Sequence, residues 1–341
     1  MKKIAGLLPA LALVLGLLAG CAAGEAETTR VRVSEVAHSV FYAPQYVAMS
    51  QGFFAEEGLE IELLNGGGAD KVMTSVLTGE VDIGLAGPEA CIYVQLEGRE
   101  DAPRVFAQLT NCDGSFLVGR TEEDFSWENL RGKTIIGGRK GGVPEMTLEY
   151  VMKQNGVVPH VDAVVDTSVQ FNMMAGAFTG GNGDYVALFE PTATEVELAG
   201  QGHVLCSIGE ESGEIPYTAY FAAQSYLDSR GDVIQKFTNA IARGQRWVQE
   251  HSDLEVAQAI AGQFPDTDLQ VLERVSARYR SIGAWNETPV MEEAALNRLM
   301  DVMEEAGELD ARADFSGLVD NRFAQRAAKS VADPELTHHE K

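Results

Sequence analysis

Positive charge is scarce in this sequence. Lysine and arginine number 26 against 51 aspartates and glutamates, a formal net charge of −25. So acidic a surface offers no basic patch for phosphates, which excludes nucleic acid as a partner. Cysteine is also scarce, four residues with no Cys-x-x-Cys pair. The six histidines (His38, His160, His203, His251, His338, His339) share no metal-ligand spacing. No metal site and no cofactor are therefore expected. A P-loop is missing: Gly132-Lys133-Thr134 supplies its end, but Trp127 sits where its first glycine belongs. Gly-x-Gly-x-x-Gly after a strand and Gly-x-Ser-x-Gly are absent too, so neither a dinucleotide loop nor a nucleophile elbow is expected.

There is also no apolar run long enough to span a bilayer, which takes about 20 residues. The longest, Ile4 to Ala19, is shorter and is broken by Gly6, Pro9 and Gly16. What precedes and follows it is informative. Lys2 and Lys3 form a positive start, and small residues close the run at Leu18-Ala19-Gly20-Cys21. That is the layout of a secretory signal. Leu-Ala-Gly-Cys resembles the bacterial lipobox, in which the cysteine is acylated and becomes the mature N-terminus. Residues 1–20 are thus expected to be a signal peptide and residues 21–29 a tether lipidated at Cys21. With Cys21 assigned to lipid, Cys91, Cys112 and Cys206 are an odd remainder that cannot pair completely.

Past the leader, short β-like runs alternate with helical patterns. Val31–Val36, Leu59–Leu63, Val81–Ala86, Val105–Thr110, Ser115–Arg120, Thr134–Gly137, Ala163–Asp166 and Tyr185–Phe189 read as strands. Pro44–Glu57, Ala69–Thr78, Pro88–Leu96, Pro144–Gln154, Ser168–Phe178 and Pro191–Leu198 read as helices. Such alternation predicts α/β architecture with largely parallel sheets covered by helices. From Asp232 onward the pattern becomes long amphipathic helices, and residues 331–341 are expected to be disordered. The length suits about two domain-sized units.

Several helices begin in glycine- or proline-marked loops directly after a strand. These are Asn65 to Asp70, Gly87-Pro88-Glu89, Arg139 to Glu145 and Glu190-Pro191-Thr192. Ligands of open α/β sheets bind beyond the carboxyl ends of the strands, where glycine lets a solute approach backbone N–H groups. Each loop alone could be a plain strand-to-helix turn; several together suggest a shared cleft. Phe41 and Tyr42 follow the first strand, and one is expected in the core while the other faces the cleft. His38 stands beside them, and Asn111 and Asp113 end a further strand. Acidic residues outnumber basic ones at these strand ends. A site for nitrate or a sulfonate should keep carboxylates away, since unpaired like charge is costly once desolvated. A neutral or cationic, partly aromatic solute is the expectation.

The run Phe41 to Ala48, then Gly52-Phe53-Phe54-Ala55-Glu56-Glu57-Gly58-Leu59, then Gly79-Glu80-Val81-Asp82-Ile83-Gly84 resembles one family. It is the substrate-binding proteins of ABC importers for thiamine-pyrimidine precursors and alkanesulfonates, the SsuA-like group. The likeness runs from about residue 31 to 325 and weakens after 230. It implies a two-lobe type II periplasmic-binding-protein fold with a ligand cleft between the lobes. Lobe 1 would combine 30–114 with 219–330, and lobe 2 would be 115–218, with strands crossing near Phe116–Gly119 and Tyr217–Phe221. It further implies a small-molecule solute, an ABC permease as membrane partner, a lipid anchor and a monomer. Carried over by position, ligand contacts would come from His38, Phe41, Tyr42, Gly67, Gly68, Asp70, Pro88, Glu89, Asn111, Asp113, Lys140, Gly141, Gly142 and Glu190. A eukaryotic branch of the family contains pyrimidine synthases with a cysteine-rich motif; no such cluster occurs here, so no enzyme is expected. An enzymatic alternative would have to use Glu145 or Glu190 with His38. An anion binder of the same family and a ligand sensor for a membrane receptor are the other readings.

Overall fold

The structure is a computed structural model that describes residues 28–332. The signal peptide, Cys21 and nearly all of the expected tether and tail lie outside the described residues. The first sheet opens with β1 (Thr29–Glu35), β2 (Leu59–Asn65), β3 (Ile83–Ala86) and β4 (Arg104–Thr110). A second sheet follows, from β5 (Ser115–Gly119), β6 (Thr134–Ile136), β7 (Val164–Asp166), β8 (Tyr185–Phe189) and β9 (His203–Ser207). β10 (Thr218–Ala222) then returns to the first sheet.

The two sheets share one topology. Their orders are β2-β1-β3-β10-β4 and β7-β6-β8-β5-β9. In each, three strands run parallel, and the fourth in order is antiparallel to its neighbours. That fourth strand, β10 or β5, is the first one the chain enters after leaving the other sheet. The central strands β3, β5 and β10 are buried along their whole length because helices cover both faces. β2 lies at an edge, and its alternating Leu-Glu-Ile-Glu-Leu matches one covered face. The α/β class expected from the alternation and the two-lobe fold implied by the resemblance are what the chain adopts. The sheets are mixed rather than largely parallel, because β10 and β5 each enter from the other sheet and run antiparallel to both neighbours.

The segments joining the sheets run side by side just before the strands predicted to cross. Asn111 C=O accepts from Ile215 N–H at 3.0 Å, and Thr110 Oγ1 lies 2.5 Å from Thr218 Oγ1. A Cβ on Gly209 would stand 2.0 Å from the Asp113 carbonyl, so the approach requires glycine. Long helices after β10 pack on the first sheet, with Phe237 from helix Gly231–Glu250 against Phe106 and Tyr220. Helix Asp253–Ile260 opens in a capping box of Ser252 and Glu255.

Local departures from the sequence reading have local causes. The expected helix Pro44–Glu57 is two helices, Ala43–Ser50 and Phe53–Glu56, broken at Gly52 with φ +76°. That left-handed backbone ends a helix and suits glycine. β9 carries no strand signal in the sequence, because His203–Ser207 has no clean alternation and is only partly buried. Cys91, Cys112 and Cys206 are all free thiols.

Candidate functional site

A cavity of about 80 Å3 opens between the two sheets. From the first sheet it is lined by Val36, Ala37, Ser39 and Tyr42 beyond β1, Gly68 and Ala69 beyond β2, and Gly87 and Glu89 beyond β3. Tyr217 and Thr218 close that side where the chain enters β10. The second sheet contributes Arg139, Gly142, Val143 and Pro144 beyond β6, Phe171 beyond β7 and Phe189 at the end of β8. Most of these positions lie at carboxyl ends of parallel strands, the usual ligand position in open α/β sheets. The walls are mostly apolar, with four aromatic rings among them.

The acidic residue in the wall is Glu89, 3% exposed, at the first turn of helix Glu89–Leu96. Its carboxylate folds back under Gly87, where a Cβ would meet Oε2 at 1.9 Å. Oε2 is buried without a hydrogen-bond partner. Burial pushes the carboxyl up to about 7, against the opposing pull of backbone N–H groups that include Val143. Behind the wall, Asp113 accepts from Ser115 N–H and Oγ, both at 2.6 Å. Burial pushes Asp113 up to about 7 as well. Neither Asp113 Oδ2 nor the nearby Tyr217 hydroxyl has a partner at hydrogen-bond distance, although each acts on the other electrostatically. An unsatisfied buried polar atom is costly, and Glu89 Oε2 beside the cavity marks a place that a solute or water can complete.

Not all residues singled out in the sequence reach this cavity. Tyr42, Gly68, Glu89 and Gly142 line it. Phe41 is fully buried beside it and packs on Phe189, Tyr217 and Tyr279. A Cβ at Gly114 would stand 2.5 Å from the Phe41 ring, so the ring packs on the backbone just before the chain enters β5. Asp70, Lys140 and Gly141 sit at a neighbouring opening. There Asp70 pairs with Arg139 at 2.7 Å and Lys140 with Glu308 at 3.5 Å. His38 and Glu190 line an adjoining opening with Asn172 and Thr192. His38 Nδ1 meets Glu35 at 2.8 Å and Nε2 meets the Gln263 carbonyl at 2.9 Å. The Glu35 bond raises the His38 pKa, while burial raises that of Glu35. Glu190 accepts from Thr194 N–H and Oγ1, both at 2.8 Å, and pairs with Arg278. Gly67 N–H donates to Asn65 at 3.0 Å in a turn, Pro88 caps a helix, and Asn111 holds the inter-lobe crossing; none of the three lines the cavity.

Sequence reading missed Ser39, Phe171, Phe189, Tyr217 and Thr218 as wall residues. Ser39 also locks the lobes, donating from Oγ to the Glu190 carbonyl at 2.6 Å. Phe189 and Tyr217 end and begin strands and read as core; only the facing of two sheets turns them to a solute. Among the described residues, one grouping of His, Asp, Glu or Cys atoms is close enough for a metal, Glu145 with Glu149 and His160, none of which lines the cavity. No described helix is long and apolar enough to cross a membrane.

The family described as NMT1/THI5 like matches residues 40–254, a span that reaches into both sheets. YtlA of Bacillus subtilis (strain 168), named as a binding protein, is 44% identical over 310 residues, covering 91% of this chain and 92% of YtlA. Among solved structures, the alkanesulfonate-binding protein SsuA from Xanthomonas axonopodis pv. citri, bound to MOPS, superposes with a TM-score of 0.70 at 16% identity. That likeness covers 87% of this chain and 99% of the other. The periplasmic nitrate-binding protein NrtA from Synechocystis PCC 6803 reaches 0.70 at 15% identity, over 92% of both chains.

Proposed function

The chain belongs to the NMT1/THI5-like family, and on that footing we propose that it is the solute-binding component of an ABC importer. It works outside the cytoplasm, lipid-anchored through Cys21, as a monomer that delivers its solute to a membrane permease. Lobe 1 is 30–114 with 219–330 and lobe 2 is 115–218, a division supported by the way β5 and β10 enter their sheets. The solute is a small neutral or cationic heteroaromatic compound, of the kind a thiamine pyrimidine precursor represents. It is captured by hinge closure, which binding energy draws toward the closed form.

One observation carries the choice of solute. Glu89 Oε2 is buried and unpartnered beside a cavity walled by Tyr42, Phe171, Phe189 and Tyr217. A planar ring bearing an N–H donor or a positive charge would stack on those rings and complete the carboxylate. An anion fits less well. The one cation in the wall, Arg139, already pairs with Asp70, and Glu89 would repel the ligand. Enzymatic chemistry is not supported by the group that would have to carry it. Both ring nitrogens of His38 are engaged, and Glu190 is held by Thr194 and Arg278.

Native mass spectrometry of the purified chain, followed by thermal-shift titration with heteroaromatic amines, alkanesulfonates and nitrate, tests this reading. A ligand that binds the folded state raises the melting temperature by mass action. Aminopyrimidines are expected to stabilise. Stabilisation by sulfonates or nitrate alone would replace the solute assignment, and a flat response to every class with no retained solute would overturn the transport role.

A further inference from the structure

A cluster of three side chains of metal-ligating type, Glu145, Glu149 and His160, lies outside the solute cavity. Helix Val143–Gln154 carries Glu145 and Glu149 one turn apart, so both carboxylates share a face. Both are buried, at 4% and 6% exposure. Among the described residues, no lysine or arginine nitrogen pairs with either; the one ionisable side chain of basic type at pairing distance is His160, whose Nε2 lies 2.8 Å from Glu149 Oε1. One donor atom from each of Glu145, Glu149 and His160 falls within 4.8 Å of the other two. Two buried carboxylates without a counter-ion repel each other unless a proton or a cation sits between them.

The imidazole is held in place by an unusual backbone. His160 is the one non-glycine described residue with positive φ, at 61°. Its turn is fixed by His160 N–H to Ala163 C=O at 2.8 Å and by Val158 N–H to Asp162 Oδ2 at 2.8 Å. Asp162 is tied in turn to Arg131 at 2.7 Å. The ring is half-exposed, which leaves an entry path for an ion.

We propose that Glu145, Glu149 and His160 bind a transition-metal dication of the Zn2+ type, and that the ion stiffens the loop beyond β6, which contacts the other lobe. Three protein ligands with water completing the shell is a common zinc arrangement, and imidazole disfavours Mg2+ and Ca2+. Ligand atoms around a tetrahedral ion stand about 3.3 Å apart for bonds near 2.0–2.1 Å. The His160–Glu149 pair at 2.8 Å would therefore open slightly, and atoms as much as 4.8 Å apart would close by up to about 1.5 Å, within reach of side-chain rotation. The link to the loop is direct. Glu145 Oε2 accepts from Gly141 N–H at 3.1 Å, and Gly141 C=O accepts from Tyr93 of the other lobe at 3.1 Å. Gly142, the next residue, lines the solute cavity.

The test is calorimetric titration of zinc chloride into the chelator-treated full chain carrying His338→Ala and His339→Ala, which removes competing tail histidines. One ion per chain is expected. Glu149→Gln, an isosteric change, and His160→Asn, which keeps a residue tolerant of positive φ, are each expected to weaken binding at least about tenfold. Thermal melting of both variants without zinc verifies that they fold. Hydrogen exchange of the peptide containing Gly141 is expected to slow on zinc addition in the parent and not in the variants. Absence of stoichiometric binding, equal affinity in parent and variants, or competition by Mg2+ at equal concentration would overturn the site. Zinc binding with unchanged exchange at Gly141 would overturn its link to the loop. None of these readouts involves a solute, so they stand apart from the transport reading.

Discussion

Asp70 Oδ1 accepts from Arg139 Nη1 at 2.7 Å, joining the helix that follows β2 in one sheet to the loop that follows β6 in the other. Both side chains are more than a third exposed, so the pair contributes at most about 1 kcal/mol to folding. Its effect is on the relation between lobes. Asp70→Asn is expected to leave the melting temperature nearly unchanged. Small-angle scattering of the solute-free variant should show a larger radius of gyration, and added salt should move the parent the same way by screening. A melting loss comparable to that of a core substitution would show that the pair does something else.

Glu89 makes stability depend on pH. Its carboxyl sits at about 7 in the folded chain against 4.5 when unfolded. Below 4.5 both states are protonated and the group imposes no penalty. Between 4.5 and about 7 the unfolded state ionises first, so stability falls as pH rises, and the full penalty applies above 7. Asp113 adds to the same trend from 3.8 to about 7. Solute-free melting temperature is expected to decline from pH 5 to 8, with a shallower slope in Glu89→Gln. An unchanged slope in that variant would place the titration elsewhere.

Neighbours Phe41 and Tyr42 should separate cleanly. Phe41→Ala removes a ring packed among Phe189, Tyr217 and Tyr279 and is expected to cost about 3–5 kcal/mol in denaturant unfolding. Tyr42→Phe keeps the ring and should stay within about 1 kcal/mol. Its effect is expected on solute affinity, because Tyr42 lines the cavity. Equal stability losses in the two variants would contradict this division.

Gly244→Ala is expected to destabilise even though alanine is the better helix former. A Cβ there would stand 2.2 Å from the Pro44 carbonyl, where helix Gly231–Glu250 crosses helix Ala43–Ser50. Separating the helices should cost about 1–3 kcal/mol by chemical denaturation, more than propensity returns. A stabilised variant would mean the helices are free to move apart.

The amino-acid sequence by itself determined the α/β class and most strands, because alternation and continuous apolar runs report burial of nearby residues. It also marked the strand-end loops, since glycine and proline punctuate backbone turns wherever they occur. Tyr42, Gly68, Glu89 and Gly142 could be picked out from those loops. Which residues of a loop turn inward was not legible there. Phe41 and Tyr42 have the same local pattern, and only the packing of Tyr279 and Phe189 from distant segments draws one into the core. Phe171, Phe189 and Tyr217 read as core because a buried aromatic looks alike in sequence whether it faces another side chain or a solute. His160 and Glu149 are eleven residues apart, a spacing that says nothing until a left-handed turn folds the imidazole back onto the helix. Tertiary structure decided these points because each depends on segments far apart in the chain meeting across the cleft or against a turn, and local periodicity carries no record of such meetings.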